Sequence, residues 1–306
     1  MPSLSNGTWY NSSSVTGFTD DSIYDVDASG QVIIAGTFAS GVHYSEDGGS
    51  TWSTVSTGLP DNGISSLHID GDFWYIGTTD GLAVYDTTQS KVTDTYFTGS
   101  NYDVTDIETD ASNIYVILDG EGIRQAPLND IGNATAVTSA KVTTFPSDSC
   151  YDIEIDGSVI YVATFNGLAV GDTNDVLSGW TVYGSTDGLA SNDTSSVNAT
   201  GDSIYVASFD SLSYSLDGGA SWNIDDTSFT TTNGIRDFAS DGTFVYAAED
   251  GKVWVSVIGR SDWTELTTDL PSDEVVSSLS VDGTSIYVGT GSSGVYSATI
   301  ESGSGK

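Results

Sequence analysis

The 306-residue chain sets 7 Lys and Arg against 43 Asp and Glu, a formal net charge of −36. That excess would repel a nucleic-acid backbone or an anionic bilayer, so neither is an expected partner. A single cysteine excludes an internal disulfide, and no run of about 18 apolar residues offers a membrane-inserting helix.

The first candidate strand surrounds Trp9. From Ile23 a four-part pattern begins. Ile23, with Val26 three residues on, opens an apolar first run. A turn leads to a continuously apolar second run, Val32–Thr37. Gly41 and Val42 lead a third run, and Trp52 opens a fourth. The script restarts at Ile64, Val104, Cys150, Thr194, Ile235 and Val276, at steps of 41, 40, 46, 44, 41 and 41 residues, the spacing of propeller blades. The turn after the first run is often Asp-Gly, as at Asp70-Gly71 and Asp282-Gly283, which suits a tight hairpin. Unbroken apolar second runs read as strands covered on both faces.

The fold class is therefore all-β: a seven-bladed β-propeller with four-stranded blades, spanning 1–306 as one domain. A fourth strand counted from Val276 falls at Ser304, in a flexible tail over 301–306, so the last blade lacks its outer strand. Trp9 precedes Ile23 by 14 residues, the same step as from Trp180 to Thr194. Residues 7–14 are thus expected to complete the seventh blade and close the ring.

Two hairpins carry a further pattern: Ser45, Asp47, Gly49 and Trp52, then Ser215, Asp217, Gly219 and Trp222. They resemble Asp-boxes, the S-x-D-x-G-x-[ST]-W hairpins of sialidase-type (BNR) propellers. A second resemblance is to propeller repeats of two-component regulators. It rests on the stretch from Gly58 to Ile64 with Trp74, Tyr75, Gly77, Thr78, Gly81 and Leu82, and on partial copies at 188–192 and 269–272. Both imply the fold and a glycan-associated or surface setting. Neither implies one activity, since such repeats serve enzymes, receptors and binding modules alike.

Sialidases hold their substrate with three converging arginines. Here the only arginines are Arg124, Arg236 and Arg260, and Arg236 alone is placed to approach the axis. No nucleophile elbow, phosphate loop or histidine-rich metal spacing is present. Cys150 reads as a buried structural thiol, and Trp74 and Trp254 read as core.

Two residues into each first strand stand Asp25, Ser66, Asp106, Asp152, Ser196, Asp237 and Ser278. First strands line a propeller's axis, so these form a polar ring. The ring is either a ligand or cation site or a set of caps for nearby backbone groups. At the preceding position Tyr24, Tyr151 and Arg236 break a Ser/Thr pattern. The candidate ligand residues are thus Tyr24, Asp25, Asp106, Tyr151, Asp152, Arg236 and Asp237. No cofactor is indicated. The many Asp residues leave Ca²⁺ possible, but no EF-hand spacing singles out a site.

The chain lacks a basic-then-apolar secretion signal, and the acidic surface points to a secreted or cell-surface protein whose signal is removed or replaced. Asn6, Asn11, Asn133, Asn192 and Asn198 stand in glycosylation sequons. The resulting expectation is a non-catalytic binding or assembly module that meets a glycan or protein partner at one face, with oligomerisation open and carbohydrate the leading ligand class. The alternatives are a structural subunit of a surface layer or filament, and a propeller glycoside hydrolase or lyase.

Overall fold

In a computed structural model of the chain, the described residues are 2–4, 9–99, 102–128, 142, 145–176, 179–208, 211–225, 229, 234–249, 251–266, 270–271 and 274–301. Seven antiparallel sheets follow one another around an axis as a seven-bladed β-propeller. Two short strands come first, β1 (Ser3–Leu4) and β2 (Tyr10–Asn11). Blade 1 is then β3 (Ile23–Ser29), β4 (Val32–Thr37), β5 (Val42–Ser45) and β6 (Ser53–Val55), ordered from the axis outward. The inner strands of blades 2 to 7 are β7 (Ile64–Asp70), β11 (Val104–Thr109), β14 (Cys150–Asp156), β18 (Thr194–Thr200), β22 (Asp237–Ser240) and β26 (Val276–Asp282). Each inner strand lies beside the next, and β26 returns to β3.

Six inner strands start at the residue their apolar pattern predicts. The sixth starts at Asp237 rather than Ile235, although Arg236 N–H still donates to Ala248 O at 2.8 Å. The outer strands of blades 1, 4, 5 and 6 begin one residue after Trp52, Trp180, Trp222 and Trp263. These indoles pack at blade boundaries instead. Trp52 meets Phe18 edge-on at 4.9 Å, and Trp263 meets Tyr205 of blade 5 at 5.7 Å. In blade 3 three strands lie within the described residues, and Val142 N–H donates to Ile123 O on the outer side, where a fourth would pair.

Local chemistry explains the repeated turns. In β4 every residue after Val32 is buried, because neighbouring blades cover both faces. The threonine ending each of four second strands donates to the carbonyl of the glycine that leads into the third: Thr37 to Gly41, Thr78 to Gly81, Thr164 to Gly167 and Thr290 to Gly294, at 2.7–2.8 Å. That glycine is obligatory. At Gly81 φ is +121° and a Cβ would lie 2.3 Å from Tyr96 O. The hairpins at 45–52 and 215–222 close alike: Asp47 accepts from Thr51 N–H at 2.8 Å and Thr51 Oγ1 at 2.7 Å, and Asp217 accepts from Ser221 N–H at 2.8 Å and its Oγ at 2.6 Å.

The N-terminus closes blade 7 with two short strands rather than one. Along β28 (Gly294–Glu301), Tyr10 and Asn11 pair with Ser297 and Tyr296, while Ser3 and Leu4 pair with Glu301 and Ile300. Glu301 therefore belongs to a strand, not to the tail expected over 301–306; residues 302–306 lie outside the described set. Ser12 Oγ accepts Val295 N–H at 2.9 Å, and Leu4 enters the core beside Ile300. Deleting residues 1–14 uncovers the edge of β28 and removes Leu4. The expected cost is about 3–5 kcal/mol, read as a lower urea midpoint than that of the full chain.

Candidate functional site

The inner strands bring three tiers of side chains to the axis, because every second residue of a strand shares a face. The first tier is the ring anticipated from sequence: Asp25, Ser66, Asp106, Asp152, Ser196, Asp237 and Ser278. Two residues on come Asp27, His68, Glu108, Glu154, Asn198, Ala239 and Ser280. Most of both tiers line a central cavity of about 290 Å³. The second tier was not anticipated, although the same strand periodicity would have disclosed it. The third tier includes Asp156 and Asp282.

Most of these groups bond to the backbone of the next blade. Asp25 accepts Leu67 N–H at 2.6 Å and its neighbour Val26 N–H at 2.8 Å. Asp106 accepts Ile153 N–H at 2.6 Å, Asp152 accepts Val197 N–H at 2.7 Å, and Asp237 accepts Leu279 N–H at 2.7 Å. In the second tier Asp27 accepts Ile69 N–H at 2.8 Å. Between blades 2 and 3 the bond reverses, Ser66 Oγ donating to Val104 O at 2.9 Å. Ser278 Oγ accepts Val26 N–H at 2.7 Å, and Asp282 accepts Gly30 N–H, so blade 7 is fastened to blade 1.

The crowding of these acids within the channel raises their pKa values. Burial pushes Asp25 up to about 7, with the Asp27 charge adding. Burial likewise pushes Glu108 up to about 7, opposed by His68, whose Nδ1 lies 3.8 Å from the Glu108 carboxylate. Glu154 and Asp237 are held well above the carboxylate range by burial first and neighbouring acids second. Asp106 is also raised, by burial first and then by the charges of Asp152 and Glu108, and Asp152 is raised by burial.

The residue before the first tier is re-aimed by a repeated β-bulge. In six inner strands the register shifts between the first and third residues, for example between Ile23 and Asp25 and between Cys150 and Asp152. A bulge leaves its extra residue unpaired and turns it outward. Tyr24 and Tyr151 are consequently 49% and 42% exposed at the channel mouth, and Arg236 is exposed at the equivalent place. Each tyrosine shares its corner with the residue after the second strand. Phe38 is 63% exposed and stacks on Tyr24 at 5.8 Å and 24°, while Phe165, 56% exposed, occupies the matching corner of blade 4. Sequence reading missed both phenylalanines, which follow Thr37 and Thr164 in a position that the aligned repeats make visible.

The structure thus brings all seven sequence-predicted ligand residues to one mouth: the aromatic residues and Arg236 at its rim, the acids just within. The other arginines lie elsewhere. Arg124 pairs with Glu121 at 3.2 Å and Arg260 with Asp262 at 3.7 Å. Cys150 is buried, and burial pushes its thiol up to about 12, which leaves it unreactive. Asn198 requires a correction. It is 3% exposed on the inner strand of blade 5, so no glycosyl group can be attached to it in the folded chain. Asn11 and Asn192 are accessible in part, whereas Asn6 and Asn133 lie outside the described residues. Among the described residues no group of three or more His, Cys, Asp or Glu side chains is arranged to hold a metal ion. Nor is any helix long and apolar enough to cross a membrane.

No protein-family model matches the chain, and no curated protein is similar to it. Solved structures are similar in fold. The extracellular domain of the one component system BT4673 from B. thetaiotaomicron gives a TM-score of 0.72 at 14% identity, covering 96% of this chain and 42% of that one. PorZ, a surface component of the type-IX secretion system of Porphyromonas gingivalis, gives 0.61 at 15% identity over 89% of this chain and 36% of its own. A computationally designed protein, Ika8, gives 0.63 at 12% identity over 94% and 98% of the two chains. The chain therefore spans about two fifths of the two bacterial surface proteins' length. At these identities the likeness establishes the propeller and nothing finer.

The folded state keeps protons on Asp25 and Glu108 up to about 7, whereas unfolded carboxylates release theirs near pH 4. Their contribution is complete below pH ~4 and is lost as pH rises to ~7, so thermal unfolding should occur at a higher temperature at pH 5 than at pH 8. Asp237→Ala leaves Leu279 N–H without its inter-blade acceptor and should cost about 2–3 kcal/mol by denaturant titration. The exposed control Asp72→Ala should change stability by less than about 0.5 kcal/mol.

Proposed function

We propose that the chain is a non-catalytic extracellular or cell-surface binding module whose ligand is carbohydrate, taken up at the channel mouth. The observation that carries this reading is the pair of aromatic corners, Tyr24 with Phe38 and Tyr151 with Phe165, held exposed by the fold. Large apolar rings left in water mark a binding surface. Sugars suit it, since their C–H faces stack on rings while their hydroxyls meet the surrounding polar groups. The Asp-box reading of the hairpins at 45–52 and 215–222 supports only a structural role for Asp47 and Asp217, as each carboxylate closes its own turn. The surface setting draws support from the likeness to extracellular and surface propellers.

A second reading, a glycoside hydrolase or lyase, is favoured by the raised carboxylates beneath the aromatic rim. Against it, Asp25, Asp106 and Asp237, the first acids met from the mouth, each use both oxygens to accept backbone N–H groups. Committed in that way, they fasten blades and are poorly placed to attack or protonate a sugar.

A glycan array, run with and without Ca²⁺ and paired with measurement of oligomeric state, tests the proposal. A defined set of bound glycans that remain intact on prolonged incubation is expected. Release of new reducing ends, abolished by Glu154→Gln, would establish the enzyme. A flat array together with polymeric protein would replace the ligand-binding reading with that of a structural subunit.

A further inference from the structure

Aromatic residues stand at both corner positions only in blades 1 and 4. The equivalent pairs are Ser65 with Thr79, Thr105 with Asp119, Ser195 with Phe209, Arg236 with Asp250, and Ser277 with Gly291. The duplication is therefore of a site and not of the general repeat, and each copy is bordered by acid from its neighbours. In blade 4, the exposed Asp193 and Asp119 approach Tyr151 from the blades on either side. Their charges add to burial in raising its phenol. Neither carboxylate has a hydrogen-bond or ion-pair partner among the described residues. In blade 1, Asp61, on the turn before β7, lies near the backbone carbonyl of Phe38, and its Oδ1 accepts Gly63 N–H at 2.7 Å and Thr79 Oγ1 at 3.0 Å. A Cβ on Gly63 would stand 3.0 Å from both Asp61 Oδ1 and Phe38 O.

From this arrangement we infer that the two corners bind sugar units carrying a free amine, so that a polymer of such units engages blades 1 and 4 together. The inference rests on the carbohydrate reading above and deepens it. A ring face attracts a cation, and a carboxylate beside it supplies the counter-charge. A chain with a net charge of −36 repels uronic, sialic and sulfated glycans. Neutral sugars would use the rings but gain nothing from the charges of Asp119 and Asp193. Protonated amino sugars satisfy both features. Two sites on one rim also convert weak unit affinity into avidity for a polymer long enough to reach from one to the other.

The test compares glucosamine oligomers, N-acetylglucosamine oligomers of equal length and neutral β-glucan oligomers, by titration calorimetry in mildly acidic buffer where the amines are protonated. The free-amine oligomer should bind at least about tenfold more tightly than its acetylated counterpart. Its affinity should fall as salt rises from about 50 to about 500 mM. Tyr151→Ala/Phe165→Ala and Tyr24→Ala/Phe38→Ala should each weaken it about tenfold or more. These side chains are exposed, so an unchanged unfolding temperature shows that the fold is intact. Equal binding of the acetylated or neutral oligomer overturns the amine assignment and leaves the carbohydrate reading standing. Tight binding that neither double variant weakens overturns the site, because general charge attraction then explains it. Failure of all three oligomers, with a flat glycan array, overturns both readings.

Discussion

Neighbouring blades of this propeller belong to separate sheets, and the inner edge of each sheet presents backbone N–H groups that no strand of its own covers. Those groups are buried around the axis, where leaving them unpaired would cost about 1–3 kcal/mol each. The chain answers with short acidic and hydroxyl side chains that reach from one inner strand to the main chain of the next. Asp25 to Leu67, Asp106 to Ile153, Asp152 to Val197 and Asp237 to Leu279 are the same bond at four junctions. Ser278 makes it across the join of the ring, with Val26.

That solution has an electrostatic consequence. Carboxylates chosen for their acceptor oxygens also bring charge, and seven of them meet in one narrow channel. Burial and mutual repulsion raise the pKa values of these acids, Asp106 and Asp152 among them. The channel is accordingly less charged than its composition implies. The acidity presented to solvent at this mouth comes from the exposed rim, from residues such as Asp119 and Asp193. The bulge just above the first tier separates the two regions: it leaves the acid pointing inward to fasten blades and turns the preceding residue toward solvent.

Much of the architecture was legible in the chain. The spacing of apolar runs located the inner strands to the residue in six blades, and the missing outer strand of blade 7 was traced to the N-terminus by counting. The site was legible in part. Tyr24, Tyr151 and Arg236 stood out because they broke a column of small polar residues. Phe38 and Phe165 did not, because their significance depends on which second strand ends beside which bulge. Asp27, Glu108 and Glu154 lay one strand period beyond a ring already noticed. Asn198 looked like a glycan acceptor because a sequon carries no information about which face of a strand its asparagine takes.

Repetition is what the sequence by itself determined: the number of blades, their strands, the Gly and Thr of their turns, and the surplus of negative charge. These are local or periodic properties, set by backbone preferences and by which residues tolerate burial on two sides. Tertiary structure alone decided the use of each acid. Ring closure brings residues some 40 positions apart to hydrogen-bonding distance, and only then does an aspartate become a fastening, a neighbour that raises another acid's pKa or a rim charge. The aromatic corners likewise exist only once a bulge and a turn from different strands meet at the same mouth.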